Sequence, residues 1–349
     1  VLALASQVSS SRIRTFSVGF DVGKFDELAY AKQMADRYET DHTEIVVRDC
    51  DISILTDLVY QLDEPFADPS ALPTYHVCRE ARRHVTVCLS GDGGDEVFAG
   101  YKRYPQALKH QRFDGVSRFG ARQLAGVVSG ALPAHAKGSG FLTRVASDGA
   151  DRYFSQCAKF TSRERHELIR PEMHGMIQDD GWLFKPYFAN RSGSELLPAM
   201  QHCDQRTFLP DDILVKVDRM AMQSSLEVRV PFLDHTLVEF VNRASDDMKL
   251  RDGVGKYALR KLADRLLPAD ILSRPKMGFG IPLEFWLRGD QEGFVRDTLF
   301  ASDTRCTQWI RREAIERLLD VNKRRKRNLV GRKVWSLLVL ELWCRRFGI

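Results

Sequence analysis

The feature that most constrains this chain is an apolar segment that ends abruptly in a turn rich in glycine and acidic residues. Residues 85–90, VTVCLS, show no polar alternation, which is typical of a parallel strand buried on both faces. The next six residues, GDGGDE at 91–96, contain three glycines and three carboxylates. Open α/β folds bind ligands at the carboxyl ends of such strands, and glycine lets the backbone approach a ligand closely. The pattern therefore favours a ligand site at 91–96, although the same residues equally fit a turn with a capping aspartate.

The first 105 residues alternate between predicted strands and predicted helices. Strands are predicted at 12–20, 42–47 and 85–90, and apolar residues at helical spacing predict helices at 25–38, 52–62 and 74–83. Apolar strands between helices indicate a parallel sheet covered on both faces. Beyond about residue 105 helical periodicity dominates. The predicted fold class is α/β, with an α/β half at 1–105 followed by a mainly helical half at 106–349.

Charge, cysteine content and hydropathy argue against several classes of protein. A net charge of +5 over 349 residues is small for nucleic-acid binding, although the basic run at 323–327 keeps a nucleic-acid-binding or scaffold role as a minor alternative. Seven cysteines without a C-x-x-C pair predict reduced thiols and a cytoplasmic location. No uncharged apolar run approaches the roughly 18 residues that a membrane helix needs. Neither nucleic acid nor a membrane is therefore expected as a partner.

Charged residues are interleaved with apolar ones at 209–234, in the sequence LPDDILVKVDRMAMQSSLEVRVPFLD. A helix is predicted from about 211 to 225. Burying charges in such a segment is costly unless they are paired. Two interpretations stay open, a structural network of ion pairs and the wall of a ligand site. The residues concerned are Asp211, Asp218, Arg219, Glu227 and Arg229.

A third candidate segment is the loop SRPKMGFGIPL at 273–283. Its prolines and glycines stiffen the chain around Lys276, and a lysine held in this way suits a phosphate group. Taken alone, the segment fits a surface turn equally well.

Several segments in this order and spacing resemble a known family. They are FSVGF, DEP…DPSALPTY, SGDGGDEVFAGY, KVDRMAM…LEVRVPFLD, KYALRKL…LP, RPKMGFGIP and WSLLVLELW. Together they resemble the synthetase domain of glutamine-dependent asparagine synthetases. The resemblance implies a doubly wound parallel sheet of the PP-loop ATP pyrophosphatase (adenine nucleotide alpha hydrolase-like) type. It also implies ATP-dependent conversion of aspartate to asparagine through a β-aspartyl-adenylate, with release of AMP and pyrophosphate.

The resemblance assigns roles to individual residues. Val18 is similar to the position whose backbone meets adenine, and Ser90 and Gly91 are similar to nucleotide contacts. Asp95 resembles one of two aspartates that bridge Mg²⁺. Lys276 resembles a lysine that contacts the α-phosphate region of ATP.

Asp92 stands where many members have a glutamate that removes a proton from the attacking ammonia. An aspartate is one methylene shorter, so its reach differs. This assignment therefore carries the largest departure from the family pattern.

Two parts of the family pattern are not found in the sequence. An SGGxDS loop is expected directly before the helix that VLALASQ continues, and a Cys-led glutaminase domain is expected before that loop. The expectation is one synthetase domain over 1–349, truncated at its N-terminus and inactive alone, with ATP and Mg²⁺ as cofactors. Expected partners are aspartate, ammonia from glutamine, the glutaminase domain and a second copy of the chain in a homodimer. The alternative is a related amidotransferase or β-lactam-synthetase-like enzyme with another carboxylate acceptor.

Overall fold

The computed structural model describes residues 1–20, 27–47, 54–111, 124–125, 128, 147, 149–189, 195–274, 281, 283–287, 291–324 and 328–349. The chain forms two compact units. The first unit comprises Val1–Asp92, Asp211–Pro231 and Leu262–Ile349, and the second comprises Gly93–Pro210 and Phe232–Lys261. The boundary between the units therefore falls inside the glycine-rich turn, and each unit is a combination of distant chain segments.

The strands form three small sheets. In the first unit β1 (Arg14–Phe20) pairs in parallel with β2 (Asp41–Val47), and β3 (Val87–Leu89) pairs in parallel with β4 (Glu227–Arg229). In the second unit β5 (Leu250–Arg251) and β6 (Val254–Gly255) form an antiparallel pair.

The three strands predicted from the sequence are present. The fourth, β4, was not predicted. It lies within the segment for which only a helix and charged residues were expected. The architecture is α/β with small parallel sheets, and one continuous doubly wound sheet is not observed among the described strands.

Helices make up most of the remaining described chain. In chain order they are α1 Leu2–Val8, α2 Leu28–Arg37, α3 Leu55–Leu62, α4 Ala71–Ala81, α5 Gly94–Val97, α6 Arg103–Gln111, α7 Gly149–Cys157, α8 Ser162–Leu168, α9 Lys185–Phe188, α10 Leu196–Arg206, α11 Val215–Met222, α12 His235–Arg243, α13 Asp246–Lys249, α14 Tyr257–Ala263, α15 Ala269–Ser273, α16 Leu283–Trp286, α17 Glu292–Phe300, α18 Arg312–Arg324 and α19 Asn328–Phe347. The helix predicted at 211–225 is instead a π-helix, Leu209–Leu214, followed by α11.

The core of the first unit joins both parallel pairs. Buried Cys78 and Ala81 of α4 and Ala221 of α11 form a cluster with Leu226. The partly buried side chains of Phe16 from β1, Cys88 from β3 and Val228 from β4 pack against it. Full burial of a leucine such as Leu226 stabilises a fold by about 1.5–3 kcal/mol. The two strand pairs are therefore held by one apolar core.

The second unit is predominantly helical and has two buried clusters. One contains Tyr104 of α6, Tyr153 of α7 and Met200 of α10. The other contains Val97 of α5 and Val241 of α12. Because α5 begins within the glycine-rich turn, the second cluster fixes the chain at the end of that turn. Among the described helices, none is both long enough and apolar enough to cross a membrane.

Candidate functional site

In the first unit, β3 is followed directly by the hydroxyl group of Ser90. The backbone N–H of Ser90 donates to the carbonyl of Arg229 at 3.0 Å, which extends the pairing of β3 with β4. Ser90 Oγ is buried and has no hydrogen-bond partner among the described residues. A buried hydroxyl left unpaired costs about 1–3 kcal/mol. A Cβ added at Gly91 would meet no described atom within 4 Å, so the strand ends in open space.

Val18 and Asp92 are the other predicted site residues of the first unit. Val18 lies in β1 opposite Ile45 of β2, and both Val18 and Asp92 are half-buried. Burial raises the pKa of the Cys78 thiol to about 12, and the neighbouring Cys88 and the negative charge of Asp92 add to this effect. Cys78 is therefore a protonated core thiol rather than a nucleophile.

In the second unit, Asp95 forms an ion pair with a lysine. Asp95 lies in α5, and its Oδ1 is 3.1 Å from Nζ of Lys256, which directly precedes α14. The backbone N–H of Lys256 donates to the carbonyl of Phe98 at 2.8 Å. A Cβ on Gly100 would overlap both Asp95 Oδ1 and the Lys256 side chain. The absence of a side chain at Gly100 therefore allows the pair to form.

Gly93 is required by the shape of the turn. Its φ is +76°, a conformation that favours glycine, and a Cβ would overlap the side chain of Leu233. The turn thus closes onto the buried cluster around α5 and α12.

A buried carboxyl lies next to Asp95 in the chain. Glu96 is 1% exposed, and its Oε1 accepts a hydrogen bond from the hydroxyl of Tyr101 at 2.5 Å. Burial raises the pKa of Glu96, and the Tyr101 hydrogen bond opposes that rise. Glu96 therefore supports the turn from the interior of the unit.

A second ion pair lies in the first unit. Nζ of Lys216, on α11, donates to Oδ2 of Asp68 at 2.7 Å, and Ser70 donates to both carboxylate oxygens of Asp68. Burial of Asp68 raises its pKa, but the charge and hydrogen bond of Lys216 together with Ser70 outweigh burial and lower it to about 2. The pair ties the proline-containing loop before α4 to α11.

The charged residues predicted as a site wall or an ion-pair network are all on the surface. Their positions are Asp211 in the π-helix, Asp218 and Arg219 in α11, and Glu227 and Arg229 in β4. Arg229 Nε donates to Glu227 Oε1 at 2.7 Å, although both side chains are more than half exposed. Glu227 and Arg229 are therefore paired with each other, as the ion-pair interpretation predicts, but the pair lies on the surface and not in the interior. Lys276 lies outside the described residues.

Sequence reasoning did not single out three residues that form the contacts described above. Lys256 stands in KYALRKL and Asp68 in DPSALPTY, both segments that carried the family resemblance, so their motif membership was the available signal. Tyr101 ends the SGDGGDEVFAGY segment. In the described ranges, no three His, Cys, Asp or Glu side chains converge in a way that could hold a metal ion, so Asp95 is a single candidate ligand.

Parallel strands alternating with helices, and a Ser-Gly-Asp turn at the end of β3, define an α/β protein with a candidate ligand site at a strand terminus. The chain belongs to the asparagine synthase family, because the family model described as asparagine synthase matches residues 1–345.

Relatives agree with this assignment. The chain is 32% identical over 344 residues to asparagine synthetase [glutamine-hydrolyzing] 1 of Bacillus subtilis. The aligned region covers 98% of this chain and 53% of that protein. It is 33% identical over 335 residues to a putative asparagine synthetase [glutamine-hydrolyzing] of Mycobacterium tuberculosis, covering 95% of this chain and 50% of that protein. It is 22% identical over 369 residues to amidase chry2 of Gibberella zeae, covering 97% and 54%. The chain spans about half the length of these curated relatives.

Proposed function

We propose that this chain is the synthetase part of a glutamine-hydrolysing asparagine synthetase. In this proposal, ATP activates the side-chain carboxylate of aspartate as a β-aspartyl-adenylate with release of pyrophosphate. Ammonia from glutamine, supplied by a glutaminase domain of the longer protein, then forms asparagine and AMP. The observation that carries the proposal is the buried Ser90 hydroxyl at the end of β3, which has no hydrogen-bond partner in the described part of the chain, in a chain that belongs to this family.

The proposed fold is the doubly wound parallel sheet of the PP-loop ATP pyrophosphatases. In such a sheet we expect β1 and β3 to lie directly beside each other or one strand apart. The two strands are not hydrogen-bonded to each other in the described ranges, yet both contribute to the core around Cys78. Val87 and Leu89 of β3 are also 40% and 53% exposed. We infer that a further parallel strand lies between β1 and β3 in the longer protein.

Ser90, Gly91 and Val18 are assigned to ATP. Ser90 offers an unused hydroxyl, Gly91 a backbone open to a ligand, and Val18 a backbone at the edge of the β1–β2 pair. Backbone groups at strand ends bind nucleotides without needing charged side chains. This supports ATP as the nucleotide, and adenine recognition at Val18 follows the family resemblance.

The carboxylate of Asp95 fits Mg²⁺ in chemistry, because Mg²⁺ takes oxygen ligands from one or two carboxylates and from phosphates. Mg²⁺, when bound, neutralises charge on the departing pyrophosphate. Lys256 brings a cation to within 3.1 Å of the same carboxylate, so its ammonium group is available to phosphate oxygens. Lys276 keeps its proposed role at the α-phosphate.

Asp92 is assigned to proton removal. Attack of ammonia on an acyl-adenylate creates a cationic nitrogen that must lose a proton, which a nearby carboxylate accepts. Asp92 is half-buried and follows the end of β3 by three residues. A cytoplasmic location and a homodimer remain further parts of the proposal.

The test uses the full-length protein and measures exchange of labelled pyrophosphate into ATP without ammonia or glutamine. We expect exchange that depends on aspartate, because adenylation is the first half-reaction. Asp95→Asn should lower it by at least about 10²-fold. Asp92→Asn should leave exchange intact and slow asparagine formation, since its role comes after the adenylate.

Exposed Asp57 on α3 offers a matched control, and Asp57→Asn should change neither rate. Exchange driven by a different carboxylate would assign the chain to the related amidotransferase or β-lactam-synthetase-like alternative. Absence of exchange with every carboxylate tested would overturn the proposal.

A further inference from the structure

Glu96 is buried, although no described residue forms an ion pair with it. Among the described residues, no lysine, arginine or histidine lies within ion-pair distance of its carboxyl group, and the Tyr101 hydroxyl is the side-chain donor to it. Burying an acidic group is costly unless it is hydrogen-bonded. The role of the Glu96–Tyr101 pair therefore lies in the backbone segment that the pair holds in place.

The pair closes a short loop that begins at Asp95. The backbone N–H of Gly100 donates to the carbonyl of Asp95 at 2.8 Å, and the adjacent residues Tyr101 and Glu96 are joined at 2.5 Å through their side chains. Two consecutive hydrogen bonds thus join residues 95–96 to residues 100–101. The backbone that carries the Asp95 carboxylate is fixed from both sides by this closure.

The helix that carries Asp95 needs outside support. α5 is four residues long, too short to be stable by itself. Nε2 of Gln201, on α10, donates to the carbonyls of Glu96 and Val97, each at 2.9 Å. Gln205 Nε2 reaches the Glu96 carbonyl at 3.3 Å. These bonds anchor the backbone, and the Tyr101 hydroxyl anchors the side chain of Glu96.

Tyr101 is itself held rigidly. The guanidinium carbon of Arg103 lies 3.9 Å from the centre of the Tyr101 ring, and Phe208 packs edge-on at 5.8 Å. Arg103 in turn donates to Asp204, which is fully buried, at 2.7 Å. The ring of Tyr101 therefore has little freedom, and its hydroxyl is a fixed point from which Glu96 is oriented.

We propose that Tyr101 and Glu96 are positioning residues for Asp95. Their hydrogen bond sets the direction in which α5 presents the Asp95 carboxylate to Mg²⁺ and pyrophosphate, and neither side chain touches the substrates. This inference rests on the proposed function, because it takes Asp95 as the metal ligand. Residues that orient a metal ligand usually alter metal affinity by about 10–100-fold when they are replaced.

Tyr104 provides a matched control for Tyr101. It is a fully buried tyrosine in the same unit, and its hydroxyl donates to Asp204 at 2.5 Å rather than to Glu96. Tyr104→Phe therefore removes one buried hydroxyl from the neighbouring network and leaves the Asp95 loop closed. A merely structural role for Tyr101 predicts the same consequences for both phenylalanine variants.

The experiment compares full-length wild type, Tyr101→Phe and Tyr104→Phe in two measurements. The first is binding of Mn²⁺ in the presence of pyrophosphate, followed by electron paramagnetic resonance. The second is the Mg²⁺ concentration that gives half-maximal aspartate-dependent pyrophosphate exchange. We expect Tyr101→Phe to weaken Mn²⁺ binding and raise the half-maximal Mg²⁺ concentration by about 10-fold. The rate at saturating Mg²⁺ should stay close to wild type, and Tyr104→Phe should shift neither value.

Glu96 supplies a second pair of variants in case Tyr101→Phe does not fold. Glu96→Gln keeps an oxygen that accepts the Tyr101 hydrogen bond, so its shift in metal affinity should be smaller than that of Glu96→Ala. Equal shifts for these two variants, or equal shifts for the two phenylalanine variants, would overturn the inference. If the wild type lacks Mn²⁺–pyrophosphate binding that depends on Asp95, the proposed function fails instead.

Discussion

Lys256 and Asp95 form an ion pair between residues that are far apart in sequence, with 3.1 Å between Nζ and Oδ1. Both side chains are about three-quarters buried, so solvent screens their interaction only in part. Glycine at 100 leaves space for the pair, and the backbone of Lys256 is fixed by its bond to Phe98. The pair therefore holds a lysine charge beside the carboxylate that we assign to the metal.

Replacement of this lysine should impair the first half-reaction. In Lys256→Met we expect aspartate-dependent pyrophosphate exchange to fall by about 10²-fold, because a positive charge beside the phosphate groups is lost. Lys261→Met is the control, since Lys261 is an exposed lysine of α14, the helix that Lys256 directly precedes. Equal exchange rates in the two variants would remove Lys256 from the site.

The close approach of β6 to the chain after α5 should make Gly255 intolerant of substitution. A Cβ at Gly255 would overlap the carbonyl oxygen of Ala99, so Gly255→Ala must displace backbone. We expect a loss of about 1–3 kcal/mol in the free energy of unfolding. Gly293→Ala in α17 should instead stabilise the protein by about 0.5–1 kcal/mol, because a Cβ there meets no described atom within 4 Å. Urea denaturation of both variants measures these changes. A Gly293→Ala variant that is less stable than wild type, beside a Gly255→Ala variant that is not, would contradict both expectations.

The Asp68–Lys216 pair should contribute stability that depends on pH. Because the pKa of Asp68 is lowered from 3.8 to about 2, this contribution is present above 3.8 and is lost as pH falls from there through about 2. Asp68→Asn leaves the buried Lys216 charge unpaired, and at pH 7 we expect the free energy of unfolding to fall by about 3 kcal/mol. The difference in the free energy of unfolding between Asp68→Asn and wild type should become smaller below pH 4.

Urea denaturation at pH 7, 4 and 3 measures that difference. Asp57→Asn, at an exposed position of α3, serves as the control and should be neutral at each pH. A difference between Asp68→Asn and wild type that stays constant down to pH 3 would show that the carboxylate charge is not what stabilises the loop.

The reactivity of Cys78 and Cys157 should differ between the folded and the unfolded protein. Burial raises the pKa of both Cys78 and Cys157 to about 12, so at pH 8 both are protonated and slow to react. We expect alkylation of either thiol in the native protein to be slower by about 10²-fold or more than in urea. Mass spectrometry of iodoacetamide-treated peptides measures this, and rapid native alkylation of Cys78 would contradict its place in the core.

The sequence predicts the strands that carry their own apolar signal and misses the one that does not. β1, β2 and β3 were found from apolar runs, whereas β4 is three residues long and presents charged side chains on both sides of Val228. Its strand geometry comes from pairing with β3, a contact between distant segments that no local pattern records. For the same reason the surface position of Asp218 and Arg219 could not be read from their apolar neighbours.

Residues near the candidate site also differ in whether local sequence patterns predict them. The contiguous strand, glycines and carboxylates predicted a ligand site at 91–96, and the family resemblance assigned roles to Ser90, Gly91 and Asp95. Lys256 and Asp68 were missed because their partners lie in distant segments. Their importance depends on tertiary contacts, since a lysine before a helix or an aspartate before a proline is common in proteins.

The order of segments in the first unit has a consequence for synthesis on the ribosome. α3 is synthesised well before α19, which packs on it, because most of the described chain lies between the two helices. The Tyr60 and Phe347 rings stack 6.1 Å apart, and Trp343 Nε1 donates to the carbonyl of Asp63 at 3.1 Å. A nascent chain therefore exposes the α3 surface that α19 covers until α19 has been synthesised. A premature stop codon before α19 would leave every residue assigned to the site in place and still deliver a chain that chaperones and proteases recognise as unfinished.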